Sequence, residues 1–189
     1  MNLELSVQEK YDKLKNRNWH INVEILIKQL IETFKLTEYL VELMKKGEMS
    51  GFERKDNTAK LNPLLWEFGH ILFFWEKMTV LNMGGKENLA KDYYYDSFRV
   101  NRDMRFFLKD KLLTVKEINT GLMNVLQFIR NYLTKYKPTN VALYLIRLSQ
   151  LHQEMHNESF IFTHQLLQKR LFKIPEIKIA ENVLYNIEM

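Results

Sequence analysis

Asn62-Pro63-Leu64-Leu65-Trp66-Glu67-Phe68-Gly69-His70-Ile71-Leu72-Phe73-Phe74-Trp75-Glu76 is the stretch on which the reading of the whole chain turns. Asn is a good N-cap, and Pro suits the first helical position, where its missing N–H costs nothing. A helix is therefore expected to open at Asn62-Pro63, run to about Leu81 and stop before Gly84-Gly85. Apolar residues flank His70 on both sides, so its imidazole is expected to be buried. An unpaired imidazole there is costly unless it is hydrogen-bonded or coordinated. A carboxylate such as Glu67 or Glu154 would satisfy it, and so would a metal ion.

Working outward, Ile25, Leu26, Leu30, Phe34, Leu40, Leu43 and Met44 recur at helical spacing and define a first helix from about Asn22 to Lys46, with Gly47 as its stop. Residues 7–14 form a shorter periodic piece before it, and residues 50–60 read as a polar loop. Thr114-Val115-Lys116-Glu117 has the form of a capping box and opens a third helix lasting to about Tyr136. Pro138-Thr139 marks a turn, with Thr139 as the cap of a fourth helix ending near Lys169. Between the second and third helices, residues 86–113 are the least regular part and hold Tyr93, Tyr94, Tyr95, Arg99, Arg102 and Arg105. The expectation is an all-α, four-helix bundle over residues 1–175 with a long irregular crossover between helices 2 and 3. Residues 176–189 form a C-terminal tail that reads as an extended strap.

Composition agrees. The 189 residues are 46% apolar and 27% charged, as in an ordinary globule, and six Gly with three Pro are too few for a turn-rich β fold. Cys is absent, which excludes disulfides, thiolate metal sites and cysteine nucleophiles. No apolar run is long enough to span a bilayer, and no basic segment followed by an apolar core opens the chain, so a cytoplasmic protein without a membrane partner is expected. The net charge of +5 comes from 28 basic against 23 acidic residues, with no basic run interleaved with aromatics, so nucleic acid is not an expected partner.

Of the five histidines, His152 and His156 lie four apart on the fourth helix. That is about one turn, so both imidazoles share one face, which continues through Leu145, Leu148 and Ser149 upstream and Ser159 and Thr163 downstream and is expected to point at the core. A pair of this kind suits a divalent transition metal, although two surface histidines would look the same. His70 from the second helix can converge with them in the middle of a bundle, leaving open positions of the catalytic type. His164 lies too far along the helix to join them, and His20 has no partner in sequence.

Three segments together resemble DinB-like domains. They are Asn62 to His70 with Phe73-Phe74-Trp75-Glu76, then Tyr95-Asp96-Ser97-Phe98-Arg99-Val100-Asn101-Arg102-Asp103-Met104-Arg105, then His152-Gln153-Glu154-Met155-His156-Asn157-Glu158. The crossover is most similar to the amino-terminal domain of ergothioneine- and ovothiol-type sulfoxide synthases. The similarity covers roughly residues 11–171 and keeps the order of the segments.

The resemblance implies a metal held by His70, His152 and His156, with Fe(II) first and Zn or Ni as alternatives. It implies a small-molecule thiol substrate joined through O2-dependent C–S bond formation to a histidine derivative, hence an oxidoreductase. It also implies a partner domain similar to the formylglycine-generating enzyme, which would begin where this chain ends at Met189. Met155 stands where well-known synthases have Gln. Glu158 is implied as the carboxylate behind a ligand, with Glu154 read as solvated. Tyr95, Arg99 and Arg102, with Arg105 ranked behind them, are implied as substrate-binding residues on the wall of the cleft, because the implied substrates carry carboxylates that Arg recognises. The arginines could instead tie the crossover to the bundle through Asp96, Asp103 or Glu76. Other readings of the same fold are a stand-alone thiol S-transferase of the bacillithiol or mycothiol type and a non-enzymatic interaction module. A homodimer is compatible with each.

Overall fold

In the computed structural model, which describes residues 22–46, 61–86 and 89–166, every regular element is helical. Helix α1 spans Val23–Lys46, α2 Leu64–Trp75, α3 Asp92–Tyr95, α4 Val115–Lys135 and α5 Asn140–Leu166. The expected piece at residues 7–14, the loop at 50–60, the tail at 176–189 and His20 lie outside the described residues, as does the side chain of His164.

Local chemistry sets most of the boundaries. Asn22 Oδ1 accepts from the backbone N–H groups of Glu24 and Ile25 at 2.9 and 3.2 Å, satisfying two donors that the helix itself leaves open. Thr114 and Glu117 form the reciprocal capping box at the start of α4. Thr139 Oγ1 accepts from Ala142 N at 3.1 Å at the start of α5. At α2 the cap differs from expectation. Pro63 occupies the N-cap position and no side chain bonds the first turn. Asn62 is instead drawn inward, where its amide reaches Glu67 and Arg105.

Ten of the twelve residues of α2 are buried, because α2 packs against both α4 and α5 while α1 packs against the same two helices. A helix covered on all sides needs an internal partner for each polar side chain. The helix also does not run straight to Leu81. It passes into a π turn over Glu76–Val80 and a 3₁₀ turn over Leu81–Met83, then ends at Gly84, whose φ of 83° lies in the left-handed region. The π turn presents Glu76 to the crossover, where its two carboxylate oxygens accept from Leu89 N and Ala90 N, both at 2.9 Å.

The crossover is folded down on α2. Tyr95 is 1% exposed, its hydroxyl accepts from Leu113 N at 2.7 Å, and its ring lies against Gly69. A Cβ at residue 69 would run into the Tyr95 ring, so the glycine before His70 is there for close approach rather than for a special backbone angle. Arg105 is the second tether: it donates to Val100 O, Asn62 Oδ1 and Ser97 O, and its guanidinium lies 3.8 Å from the Trp66 ring centroid. Between α1 and α5 a polar belt sets the register. Gln153 accepts from Trp75 Nε1 at 2.6 Å and donates to Thr37 Oγ1 at 2.7 Å, and Thr37 Oγ1 in turn donates to Asn157 Oδ1 at 2.8 Å.

Overpacking at the Gly69–Tyr95 contact gives a direct test. Gly69→Ala is expected to cost about 2–3 kcal/mol, which for a domain of this size lowers the melting temperature by roughly 5–10 °C. Thermal melting followed by circular dichroism measures it, and an unchanged midpoint would contradict the contact.

Candidate metal centre

His70, His152 and His156 each offer a ring nitrogen, and these three atoms all lie within 4.8 Å of one another. Helix α2 supplies the first, and one face of α5 supplies the other two. The rings stand edge-on to each other, with centroids 5.1 Å apart for His70–His152, 5.2 Å for His70–His156 and 4.6 Å for His152–His156. Around one tetrahedral ion with bonds of about 2.0–2.1 Å, ligand nitrogens sit about 3.3 Å apart. Side-chain adjustments on the order of an ångström therefore bring all three to one ion.

The second nitrogens decide the tautomers. His70 Nδ1 lies 2.7 Å from the carbonyl oxygen of Tyr95. A carbonyl only accepts, so Nδ1 carries the proton and Nε2 of the neutral ring keeps its lone pair. His156 Nδ1 lies 2.8 Å from Glu67 Oε1, and its Nε2 is buried without a partner. His152 likewise has a buried Nδ1 without a partner, and its ring stacks on Phe74 with centroids 3.6 Å apart. Buried nitrogens left unengaged are the sign of a group that awaits a ligand. A divalent ion fits this donor set.

Electrostatics favours the neutral, ligating form. Burial is the main cause holding His70 down at about 4, against the raising effect of its bond to Tyr95. Burial also holds His152 down at about 3, assisted by the neighbouring His156 and His70. A metal therefore competes with few protons at neutral pH.

Behind the ligands the hydrogen bonds continue outward. Glu67, 1% exposed, holds His156 with Oε1, while its Oε2 accepts from Asn62 Nδ2 at 3.4 Å. Asn62 Oδ1 in turn accepts from Arg105 Nη1 at 2.7 Å. On the other side Trp66 stacks on His70 with centroids 5.0 Å apart and donates from Nε1 to Tyr94 O at 2.7 Å. Arg105 thus reaches two ligands, one through Asn62 and Glu67 and one through the Trp66 ring.

Several expectations change. The carboxylate behind a ligand is Glu67 and not Glu158, which is exposed because it follows His156 by two residues and so faces another side of α5. Glu154 is half-buried and engaged on one side: its Oε1 accepts from Thr33 Oγ1 and Gln150 Nε2, both at 2.9 Å. Tyr95 serves the site through its backbone carbonyl, while its hydroxyl is engaged by Leu113 N. Burial raises that hydroxyl's pKa to about 12. Arg99 and Arg102 are exposed, with Arg99 Nε 3.4 Å from Asp96 Oδ2, whereas Arg105 is the buried arginine. The tying role is therefore filled by Arg105, through Asn62 and backbone carbonyls rather than an acidic side chain. The available signal for Glu67 was its place three residues before His70, one of two ionisable groups on the same face of an otherwise apolar helix.

No family model matches the chain, and no curated protein matches it.

Two measurements test the geometry. Removing the carboxylate that orients a ligand typically weakens metal binding about 10–100-fold, so Glu67→Ala is expected to do so in a chelator competition with Zn or Co(II), and Glu158→Ala is not. The second concerns pH. Unfolded histidines titrate near 6.5, so between about pH 4 and 6.5 the unfolded chain binds more protons than the folded one and stability falls on acidification. The urea midpoint of the metal-free protein is expected to drop from pH 7 to pH 4.5, and less steeply in His152→Phe. An equal slope in that variant would contradict the burial of His152.

Proposed function

We propose that the chain is a DinB-like four-helix bundle whose His70, His152 and His156 hold one Fe(II) ion, and that it forms the metal-binding half of a sulfoxide-synthase-like oxidoreductase acting on a small thiol. The observation that supports this reading is the convergence of three imidazoles, two of them with Nδ1 committed to Tyr95 O and Glu67, so that one nitrogen of each lies within 4.8 Å of the others. Three nitrogen ligands leave open positions, the pattern of a catalytic and not a closed structural centre. When bound, Fe(II) supplies Lewis acidity toward a thiol and redox chemistry with O2.

The residues of this chain then have distinct duties. Tyr95 O and Glu67 fix the orientation of two ligand rings. Phe74 and Trp66 cover the faces of His152 and His70 and keep water from them. Arg99 and Arg102, exposed on the crossover whose Tyr95 carbonyl touches His70, are proposed to meet the carboxylate of the substrate. A second domain similar to the formylglycine-generating enzyme is proposed to complete the cleft.

Metal analysis after anaerobic loading with Fe(II) is expected to give one ion per chain, lost in His152→Ala without loss of helicity. Combined with a separately expressed partner domain of that type, the iron form is expected to consume O2 only when a thiol is present. Retention of the metal in His152→Ala would overturn the ligand assignment. Thiol alkylation by a zinc form without O2 would instead identify a thiol S-transferase.

A further inference from the structure

Helix α5 is apolar on both sides. Its inward side buries Leu143, Ile146 and Phe160 together with a polar set that includes Gln153, His156 and Asn157. Its outward side carries Val141, Tyr144, Leu151, Met155 and Phe162, which are 47%, 50%, 56%, 52% and 53% exposed. With half-buried Leu148, these positions alternate at spacings of three and four, except that exposed Glu158 interrupts the stripe before Phe162. That is the a/d pattern of a helix that packs against another helix. The apolar run from Val141 to Met155, facing water, marks a contact surface.

We propose that this stripe is where two copies of the chain associate, α5 against α5, antiparallel about a two-fold axis. The occupant is argued from charge. Arg147 and Glu154 lie seven residues apart on one flank of the stripe, both half-buried and both already held by neighbours, Arg147 by Gln29 and Gln150 and Glu154 by Thr33 and Gln150. In antiparallel pairs, residues on the same flank meet across the interface. Setting Leu148 of one copy opposite Leu151 of the other brings Arg147 of each beside Glu154 of the other, twice by symmetry. The same register sets Tyr144 against Met155 and Val141 against the stem of Glu158.

Shifting one copy by a heptad in either direction destroys the match. One shift brings Glu154 against Glu154, and the other brings Arg147 against Arg147. A parallel pairing aligns Glu158 with itself. A single register therefore satisfies both the apolar layers and the charges, which is how helical partners are specified against alternatives. In that register Leu145 of one copy lies alongside His152 of the other, so the outer ligand of the metal centre borders the interface. The pairing stands whether or not a metal binds. In this register the paired stretch runs from Val141 to Glu158, roughly 26 Å, and Phe162 lies beyond it. An interface of that length falls at or below the lower end of the usual range of about 1,200–2,000 Å², so association no tighter than the micromolar range is expected.

Because the chain contains no cysteine, introduced cysteines report only where they are placed. An oxidised equimolar mixture of Leu148→Cys protein and size-tagged Leu151→Cys protein is expected to give the mixed cross-linked dimer. A mixture of Leu151→Cys with Met155→Cys, which would meet only in the neighbouring register, is expected to give traces. In sedimentation equilibrium the unmodified chain is expected to dimerise, with Leu151→Glu weakening association by about tenfold or more at an unchanged melting temperature. A chain that stays monomeric at a few hundred micromolar, or that cross-links through Leu151 and Met155 instead, overturns the proposal. Either result would leave the stripe to residues 1–21 or 167–189 of the same chain, or to a different protein.

Discussion

Three imidazoles gathered in one pocket form the constraint around which the rest is arranged. Burial holds His70 and His152 in the neutral form, so each of their nitrogens has to be accounted for. Tyr95 O takes one proton and Glu67 takes another. Those two solutions create further demands. A carboxylate that is 1% exposed needs a second donor, found in Asn62, and the Asn62 carbonyl needs its own, found in Arg105. The chain of obligations ends only where Arg105 bonds the crossover backbone at Val100 and Ser97. A requirement that begins at two ring nitrogens thus dictates how a long connection folds onto helix α2.

The crossover is correspondingly held by polar contacts at both ends. Glu76 pins its start at Leu89 and Ala90, the Lys77–Asp92 ion pair at 2.9 Å fixes α3, and Leu113 N closes the end on the Tyr95 hydroxyl. The ion pair is exposed on the lysine side and contributes little by itself. The buried bonds contribute more, because leaving any one of them unmade strands a polar group in the core.

How much of this could be read from the residues depends on how local the cause is. The capping box at Thr114, the cap at Thr139 and the four-residue spacing of His152 and His156 are settled within a turn or two of chain, and the folded protein has all three. The convergence of His70 on that pair could be anticipated, because a histidine buried in so apolar a helix has few other partners. The second layer could not. Whether Glu67 or Glu158 stands behind His156 depends on which side of α5 faces α2, and that is decided by the polar belt of Thr37, Gln153 and Asn157. In the same way, the sequence of the crossover presents three arginines at equal spacing. Only the path of the backbone around Trp66 selects Arg105 for burial and leaves Arg99 and Arg102 in water. Asn62 was legible as a cap by residue type, but the demand from Glu67 and Arg105 outweighed the benefit of capping.

The π turn at Glu76–Val80 also sets the rotation of everything that follows it. A π turn holds one residue more than an α turn, so everything after it is rotated by about 100° from where an unbroken helix would place it. Upstream of it lie Glu67 and His70; within it Thr79 meets Ser149 at 2.8 Å. Losing that residue would turn Leu81 to Met83 and the start of the crossover with it, while Glu67 and His70 upstream would keep their places.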